Sequence, residues 1–249
     1  MRRSLITLTA ALALLATTAL AGGLGDMTDA ERTAFRAEIK QYLLDNPEVL
    51  LEAQQVLQDR QQQAQIAQDK LIVSQNADSI MADPASWVGG NPDGDITIVE
   101  FMDYRCTYCR KAYSEVADLV KTDGNIRFIV KEYPILGDDS VISARFAIAV
   151  RLLHGDAAYA QVHDALITLR GVPDPDTLGR LAGTLGLDPK PIVALMGDAK
   201  VSDIIKANYA LADKLGITGT PTFVIDQMML RSYVPEEDLR KIVAEQRAG

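Results

Sequence analysis

The stretch FMDYRCTYCRK, residues 101–111, contains the only two cysteines of the 249-residue chain, Cys106 and Cys109. The run ITIVEFM at residues 96–102 is β-branched and almost wholly apolar, which is typical of a strand buried on both faces of an α/β sheet. Helical composition continues after the cysteines, and a second strand pattern, IRFIV, follows at residues 126–130. The sequence therefore predicts a strand, a helix and a strand, with the cysteine pair where the first strand enters the helix.

Three kinds of chemistry suit two cysteines separated by two residues: a metal site, a structural disulfide and a redox pair. A structural zinc site normally takes four ligands, and we expect the two histidines, His154 and His163, to be ordinary surface or packing residues. A permanent disulfide across so short a loop would stabilise the fold little. A Cu(I) ion held by the Cys106 and Cys109 thiolates stays open as an alternative.

The redox pair fits the predicted local structure best. A cysteine in the first turn of a helix has its thiolate stabilised by unpaired backbone N–H groups and by the positive end of the helix dipole. Cys106 is predicted there, and Cys109 lies one turn further on. Cys106 would attack a substrate, and Cys109 would resolve the mixed disulfide.

The first residues have the three parts of a secretory signal. Two arginines precede an apolar run from Leu5 to Leu20, and Ala19 to Ala21 form a small-residue cleavage pattern. We therefore predict a signal peptide at residues 1–21, cleavage near Ala21 and export to a bacterial periplasm. That compartment is oxidising, which suits a disulfide chemistry.

The charge of the chain limits its partners. The formal net charge is −9, and the predicted signal peptide carries arginines but no acidic residue. A surface this acidic argues against nucleic acid as a partner.

Residues 22–82 are predicted to form a helical arm and a hinge. Thr28 and Glu31 have the spacing of a capping box, and Asn46-Pro47 is expected to start a second, long helix. A seven-residue repeat places four residues on one seam of that helix: Leu50, Leu57, Ala64 and Leu71. An isolated pair of amphipathic helices cannot bury its own apolar stripe, so we predict that the arm associates with copies of itself. The alternatives are a solvent-exposed stalk and an arm that docks on the downstream domain.

Glycine, asparagine and proline recur in residues 75–95, which predicts a hinge there and the entry to a second domain. Beyond the cysteines, an all-helical insert is predicted at about residues 139–206. Short strands follow near residues 219–230, and a last helix is expected from about Pro235 to Arg247.

Residues 84–249 resemble the DsbA-like branch of the thioredoxin superfamily of periplasmic thiol–disulfide oxidoreductases. The resemblance rests on three stretches: GNPDGDITIVEFMDYRCTYCRK, KEYPILGDDSVISARFA and GITGTPTFVI. The arm segment NPEVLLEAQQVLQ resembles that of the copper-sensitivity suppressor proteins called ScsC, some of which form trimers through it. The resemblance implies an α/β thioredoxin fold with an all-helical insertion, at residues 83–249, after an N-terminal oligomerisation arm.

The same resemblance implies roles for individual residues. Cys106 would be the nucleophile and Cys109 the resolving thiol. The Thr220-Pro221 peptide would be cis and face the cysteine pair, where the Thr220 backbone would pair with an extended substrate chain. Thr107 and Tyr108, between the cysteines, are expected to contact substrate.

Glu100 stands where this family carries a buried acid near the resolving thiol. Burial would raise its pKa, which suits a proton relay for Cys109. An ion pair with Lys131 is the alternative interpretation.

The dipeptide between the cysteines bears on the direction of the reaction. DsbA oxidases typically carry Pro-His there, whereas Thr107-Tyr108 lacks the imidazole, so Cys106 should be less acidic and its disulfide less oxidising. Together with the arm, this favours a disulfide isomerase or reductase in an oligomer, and a DsbA-type oxidase is the alternative.

The expected partners follow from that activity. They are unfolded or misoxidised exported proteins and a membrane thiol donor of the DsbD or ScsB type, or an oxidant of the DsbB type. No cofactor is expected beyond the redox-active Cys106–Cys109 disulfide. Two functions of other classes stay open: Cu(I) binding for copper tolerance by Cys106 and Cys109, and a chaperone-like arm protein with an incidental redox site.

Overall fold

The structure of the chain is a computed structural model that describes residues 27–248. The predicted signal peptide, residues 1–21, lies outside the described residues. The chain forms two compact units that divide between Arg60 and Gln61. Within the described residues no helix is both long enough and apolar enough to cross a membrane.

The first unit is purely helical. Helix α1 (Asp29–Asp45) is followed after a short turn by the start of helix α2 (Glu48–Gln75). The predicted capping box is confirmed, because the Glu31 N–H donates to Thr28 Oγ1 at 3.3 Å and the Thr28 N–H donates to the Glu31 carboxylate at 2.8 Å. The sequence predicts Asn46 as the cap at the start of α2, but its side chain does not cap that helix. Its side-chain amide donates instead to the Tyr42 carbonyl, at 2.9 Å, and so ends α1.

The helices of the arm leave large apolar side chains in solvent. None of the residues of α1 is buried. The exposed apolar residues of this unit are Phe35, Ile39, Tyr42, Leu44, Leu50, Leu51, Val56 and Leu57. The predicted seam positions of α2 are exposed along their whole length. The apolar side chains of each arm helix are therefore not buried by other residues of the same helix.

A five-stranded sheet organises the second unit. Its strands are β1 (Trp87–Gly90), β2 (Ile96–Met102), β3 (Ile126–Glu132), β4 (Thr222–Ile225) and β5 (Met228–Leu230). The strand order is β1-β3-β2-β4-β5; of the neighbouring strands, β2 and β3 pair in parallel and the others pair antiparallel. Strand β2 is thus the central strand, which explains its nearly continuous apolar sequence.

The helices of the second unit cover both faces of this sheet. Their bounds are α3 (Ala77–Met81), α4 (Thr107–Asp123), α5 (Asp138–His154), α6 (Asp156–Thr168), α7 (Pro175–Thr184), α8 (Pro189–Leu195), α9 (Ala199–Leu215) and α10 (Glu236–Ala248). Helix α4 connects β2 to β3, as the sequence predicts. Glycine at position 124 closes α4 in the left-handed conformation, with φ at 74°.

The helical insert lacks a boundary near residue 206. Helices α5 to α8 follow one another closely, and α9 then runs unbroken from Ala199 to Leu215. Position 206 therefore lies inside α9, and the last turn of α9 leads directly to the segment before β4.

The segment expected to be a hinge contains regular structure between its turns. Residues 75–95 contain α3 and the edge strand β1, which pairs antiparallel with β3. The glycines that suggested a loop have a packing reason, because a Cβ at Gly89 would lie 2.1 Å from the ring of Trp87. The indole of Trp87 therefore needs a glycine two residues further along the strand.

Four basic side chains hold the entry to the second unit against its core. They are Arg127, Lys131, Arg151 and Arg231, which bind respectively the Met81 carbonyl, the Asp83 carboxylate, the Ala85 carbonyl and the Asp69 carboxylate. Val73 and Ile80 are buried in the same region. The last turns of α2 thus pack as part of the second unit, upstream of the predicted domain start at residue 83.

Candidate active site

Cys106 lies where β2 leads into α4. It is the N-cap residue of α4, with an extended backbone, and its sulfur accepts a hydrogen bond from the Cys109 N–H at 3.4 Å. Serine and aspartate normally fill this position, because their side-chain oxygens accept from the free N–H groups of the first turn. Here a sulfur takes that place, so a negative charge on the sulfur is favoured by the helix.

The surroundings of Cys106 make it an acidic thiol. Its pKa falls to about 5, mainly because the Cys109 thiol donates a hydrogen bond to its sulfur, with further contributions from Thr220 and from the backbone N–H groups of Cys109 and Tyr108. Partial burial opposes this effect without overcoming it. At neutral pH Cys106 is therefore a thiolate, the form that attacks disulfides.

Cys109 is the opposite kind of thiol. It is 1% exposed, and its pKa is raised far above the ordinary value by burial, by the hydrogen bond to Cys106 and by the nearby charge of Glu100. Both cysteines are free thiols in the structure. Both residues are buried, with Cys106 6% and Cys109 1% exposed. The pair therefore has one ionised sulfur and one protonated sulfur.

The segment before β4 completes the surroundings of Cys106. The Thr220–Pro221 peptide bond is cis, as the resemblance implies. The thiol of Cys106 lies 3.1 Å from the Thr220 carbonyl oxygen. Two segments 114 residues apart in sequence are thus in direct contact at the reacting sulfur.

Glu100 lies on the central strand and is 5% exposed. Its neighbours across the sheet are Val130 and Phe223, which are both apolar. The pKa of Glu100 is raised to about 8, mainly by burial and also by the charges of Cys106 and Glu132. The carboxyl group can therefore hold or release a proton near neutral pH.

The alternative partner of Glu100 is engaged elsewhere. Lys131 is 1% exposed, and its ammonium lies 2.7 Å from the Asp83 carboxylate and 3.0 Å from the Ser79 carbonyl oxygen. The predicted alternative of a Glu100–Lys131 ion pair is therefore wrong. Lys131 lies on β3 next to Val130, and its side chain extends to the segment after α3.

A cavity of about 470 Å³ adjoins Cys109. Its polar wall includes Glu100, Cys109 and His163, and most of the remaining wall is apolar or aromatic, with Trp87, Met102, Tyr113 and Phe128 among its residues. Glu100 and Cys109 therefore line the same, mostly apolar cavity.

Behind His163 lies a buried acid that the sequence did not reveal. Glu132 Oε1 accepts hydrogen bonds from the hydroxyls of Tyr104, at 2.8 Å, and Tyr159, at 2.5 Å. The Tyr104 hydroxyl also lies 3.1 Å from His163 Nδ1. Burial raises the pKa of Glu132 to about 8, and its Oε2 atom has no hydrogen-bond partner among the described residues.

His163 and His154 differ in position. His154 is exposed at the end of α5, whereas His163 is buried, and burial lowers its pKa to about 4. His163 is therefore neutral at physiological pH and packs among Trp87, Tyr159 and Tyr104. The sequence signal for this cluster is weak, because β3 and α6 bring its members together from distant positions.

Asp103 is another site residue that sequence reasoning missed. Its carboxylate accepts hydrogen bonds from the Arg105 N–H at 2.7 Å, from the Ile135 N–H at 2.8 Å and from the Leu136 N–H at 3.0 Å. It is 1% exposed. Asp103 thus fixes the turn before Cys106 to the loop after β3.

The dipeptide between the cysteines is exposed. Thr107 opens α4, and Tyr108 keeps 59% of its surface in solvent. The ring of Tyr108 stacks on Tyr233, with 6.0 Å between ring centroids and an angle of 28°. Both positions can meet a substrate that approaches Cys106.

Metal binding has limited support from geometry. Among residues 27–248, no group of three or more histidine, cysteine, aspartate or glutamate side chains is arranged to hold a metal ion. Two-coordinate binding of Cu(I) by Cys106 and Cys109 needs no third side chain.

Two family models match different parts of the chain. Residues 82–245, more than half of the sequence, match the family described as Thioredoxin. Residues 31–64 match the family described as Copper resistance protein ScsC N-terminal domain. The predicted fold class is confirmed by these matches and by the mixed sheet with its preceding helical arm.

Solved structures similar to this chain carry related descriptions. A thioredoxin-like oxidoreductase from Silicibacter pomeroyi DSS-3 is 39% identical, with a TM-score of 0.65, over 69% of this chain and 98% of that one. The thiol-disulfide exchange protein alpha-DsbA2 from Wolbachia pipientis is 27% identical, with a TM-score of 0.68, over 74% and 98% of the two chains. BcfH from Salmonella enterica Typhimurium is 27% identical, with a TM-score of 0.72, over 86% and 95%.

Curated relatives include much longer proteins. The Na(+)/H(+) antiporter NhaA 3 of Salinispora tropica is 27% identical over 139 residues, which is 56% of this chain and 21% of the antiporter. The chain therefore spans about a fifth of the length of that relative.

Proposed function

This chain belongs to the thioredoxin family, and on that premise we propose that it exchanges disulfides with exported proteins through Cys106 and Cys109. We propose that it acts chiefly as an isomerase or reductase and that it works as an oligomer. The observation that carries the proposal is the asymmetry of the two thiols. Cys106 has a pKa of about 5, whereas the pKa of Cys109 is raised by burial. One sulfur is ready to attack, and the other is held back until a mixed disulfide forms.

The first step is an attack by the Cys106 thiolate on a substrate disulfide. A bond forms between Cys106 Sγ and one substrate sulfur, and the other substrate sulfur leaves as a thiolate. The cis Thr220–Pro221 segment lies at the reacting sulfur and offers backbone groups that an extended substrate chain can pair with.

Two outcomes follow from the mixed disulfide. If another substrate thiolate attacks the substrate sulfur, Cys106 leaves as a thiolate, and the substrate disulfide has been rearranged without net oxidation. If Cys109 attacks Cys106 Sγ, the Cys106–Cys109 disulfide forms and the substrate gains two electrons. In that second case the Cys109 proton passes to Glu100, whose pKa of about 8 suits a group that accepts and releases it.

The acidity of Cys106 supports exchange in both directions. Its pKa of about 5 lies between the values of about 3.5 for the oxidase DsbA and about 7 for thioredoxin. A thiol of this acidity leaves a mixed disulfide readily, which an isomerase requires. We propose that no bound cofactor takes part and that the electrons are held by the Cys106–Cys109 pair.

The arm supplies the reason for proposing an oligomer. Its apolar residues are exposed along α1 and α2, and helices of this kind are stable when another apolar surface covers them. Copies of the same arm provide such a surface, and several sites in one particle would hold a misfolded client at more than one point.

The test compares seam variants of α2 with matched variants outside the seam. Leu50→Asp with Leu57→Asp places charge on the seam, and Gln58→Asp with Gln62→Asp adds the same charge elsewhere on the helix. We expect the first variant alone to lose oligomers, by light scattering, and to recover scrambled ribonuclease more slowly. If it still rearranges disulfides at the full rate, the arm is unnecessary; if it only oxidises reduced substrate, the protein is a DsbA-type oxidase.

Copper binding is a second candidate function. The match of residues 31–64 to the ScsC N-terminal family favours it, together with two thiols that suit a soft monovalent ion. A competition assay with a Cu(I) chelator should show binding that is lost when both cysteines become serine. Binding at submicromolar Cu(I) without disulfide exchange would favour a copper-tolerance role over the enzyme.

The proposed setting is the bacterial periplasm, with the signal peptide removed near Ala21. There the isomerase would need a membrane thiol donor of the DsbD or ScsB type to keep Cys106 reduced. An oxidase would instead need an oxidant of the DsbB type.

A further inference from the structure

We infer that Tyr108 and Tyr233 form an aromatic surface that binds an apolar side chain next to the reacting cysteine of a substrate, with Lys111 favouring an acidic residue beside it. This inference rests on the proposed thiol–disulfide exchange and names the kind of segment that the site accepts. The occupant is an extended segment of an exported protein whose cysteine is flanked by an aromatic or large aliphatic residue.

The surface begins at the reacting sulfur itself. The backbone N–H of Tyr108 is one of the groups that stabilise the Cys106 thiolate. A substrate sulfur bonded to Cys106 therefore lies within side-chain reach of Tyr108. One face of the Tyr108 ring stacks on Tyr233, and the residue still exposes 59% of its surface.

Tyr233 is held rigidly from behind. Its hydroxyl lies 2.8 and 2.9 Å from the two carboxylate oxygens of Glu115. One of these oxygens also accepts a hydrogen bond from the N–H of Glu236, at the start of α10, at 3.1 Å. The aromatic surface is therefore preorganised, so a substrate that binds to it does not have to order it.

Aromatic side chains suit this role because they offer a large contact area at a small cost in conformational entropy. An exposed tyrosine that merely filled space would need no second ring fixed beside it. Two stacked rings at the nucleophile provide a contact for an apolar side chain. The backbone groups near Thr220 bind the substrate backbone and therefore do not distinguish one side chain from another.

The charge beside the surface points to an acidic neighbour. The Lys111 ammonium lies 4.3 Å from the centroid of the Tyr233 ring. Among the described residues, no salt bridge joins Lys111 to a carboxylate, and the Glu115 carboxylate accepts hydrogen bonds from the Tyr233 hydroxyl and the Glu236 N–H. A substrate carboxylate next to the apolar residue would complete this arrangement.

The test uses short peptides that contain one mixed disulfide and differ at single positions. One pair carries Phe or Ser next to the cysteine, and a second pair carries Glu or Lys beyond it. The rate constant for attack by Cys106 is measured for the full chain and for Tyr233→Ala, Tyr233→Leu, Tyr233→Phe and Lys111→Ala. Leu153→Ala removes an exposed apolar side chain of α5 and serves as the control.

For the natural chain we expect the Phe peptide to react about fivefold faster than the Ser peptide. Tyr233→Ala should bring that ratio to near one, Tyr233→Leu should reduce it, and Tyr233→Phe and Leu153→Ala should retain it. Lys111→Ala should remove the preference for Glu over Lys without changing the Phe-to-Ser ratio. Thiolate absorbance of each variant separates a change in the acidity of Cys106 from a change in binding.

Two results would overturn the inference while leaving the proposed function intact. The first is equal reaction of the Phe and Ser peptides with the natural chain, and the second is a Phe preference that persists in Tyr233→Ala. If no peptide disulfide reacts with Cys106 at all, the proposed function fails, and this inference fails with it.

Discussion

Arg231 ties helix α2 to the end of α9 through Asp69. Its guanidinium donates to the Asp69 carboxylate at 2.6 Å and to the carbonyls of Leu215 and Gly216 at 3.1 and 2.5 Å. Asp69 is 6% exposed, so its charge is largely removed from water. The segment from Gly216 leads to Thr220, and a side chain bound to α2 thus also holds the chain that approaches the nucleophile.

Replacement of Arg231 by alanine should therefore destabilise the second unit. The change leaves the buried Asp69 carboxylate with the Gln65 amide as its remaining donor. It also removes the arginine donor from two helix-end carbonyls, so we expect the free energy of unfolding to fall by about 2 kcal/mol. Urea unfolding, monitored by circular dichroism, measures this loss of unfolding free energy. Lys241→Ala removes an exposed cation paired with Glu237 on α10 and should change stability far less, because exposed ion pairs contribute little. Equal effects of the two changes would contradict this account of Arg231.

Cys106 should titrate as a thiolate with a midpoint near pH 5. The largest cause of its low pKa is the hydrogen bond from the Cys109 thiol. Cys109→Ala should therefore move the midpoint upward, whereas Cys109→Ser keeps a donor and should move it less. Absorbance at 240 nm against pH gives the midpoints for the reduced proteins. A midpoint near the ordinary value of about 8.5 in the natural chain would contradict the role of the α4 N-terminus.

The local features of the site could be predicted from the sequence, because strand and helix patterns meet at Cys106 within twenty residues. The contact between Cys106 and Thr220 spans 114 residues and followed only from the resemblance to a family. No periodicity indicates such a contact, since the cis Thr220–Pro221 peptide has the same sequence signature as a trans one.

The buried acid cluster was outside the reach of sequence patterns for a different reason. Glu132 ends an apolar strand, and acidic residues at strand ends are usually in solvent. Its burial depends on Tyr104, Tyr159 and His163, which arrive from a loop and from α6. The strand at Trp87 was missed because Gly89 suggested a loop, although the glycine makes room for the indole ring.

Glu132 should make the protein less stable as the pH rises. Its pKa of about 8 in the folded state exceeds the value of about 4.3 in an unfolded chain. At pH values between these two pKa values, the unfolded state has lost a proton that the folded state keeps. As the pH rises through this range, the free energy of unfolding therefore falls by up to about 1.4 kcal/mol per pH unit. Glu132→Gln removes this contribution, and its unfolding free energy should fall less steeply from pH 4.5 to 8.

The control for that experiment is Glu52→Gln, which removes an exposed carboxylate of α2 and should leave the slope unchanged. Denaturant unfolding at several pH values supplies the slopes. Parallel curves for the natural chain and Glu132→Gln would mean that Glu132 ionises in the folded protein as it does in water.

Glu100→Gln should slow the step in which Cys109 resolves a mixed disulfide. The amide fills the same space in β2 but cannot accept the Cys109 proton, so we expect resolution to be about 10- to 100-fold slower at pH 7. Because the pKa of Glu100 is about 8, the rate in the natural chain should rise with pH up to that value, and this rise should be absent from the variant. Acid quenching and mass spectrometry measure the lifetime of the mixed disulfide.

Glu132→Gln is the matched control for Glu100→Gln, because it neutralises a second buried acid that does not contribute to the raised pKa of Cys109. It should keep the rise of the resolution rate with pH, at a midpoint below that of the natural chain, because the charge of Glu132 helps to raise the pKa of Glu100. If both variants prolong the mixed disulfide equally, the general loss of buried charge is responsible. If neither does, Cys109 delivers its proton without Glu100, and the cavity beside them becomes the route to test, since it adjoins both groups.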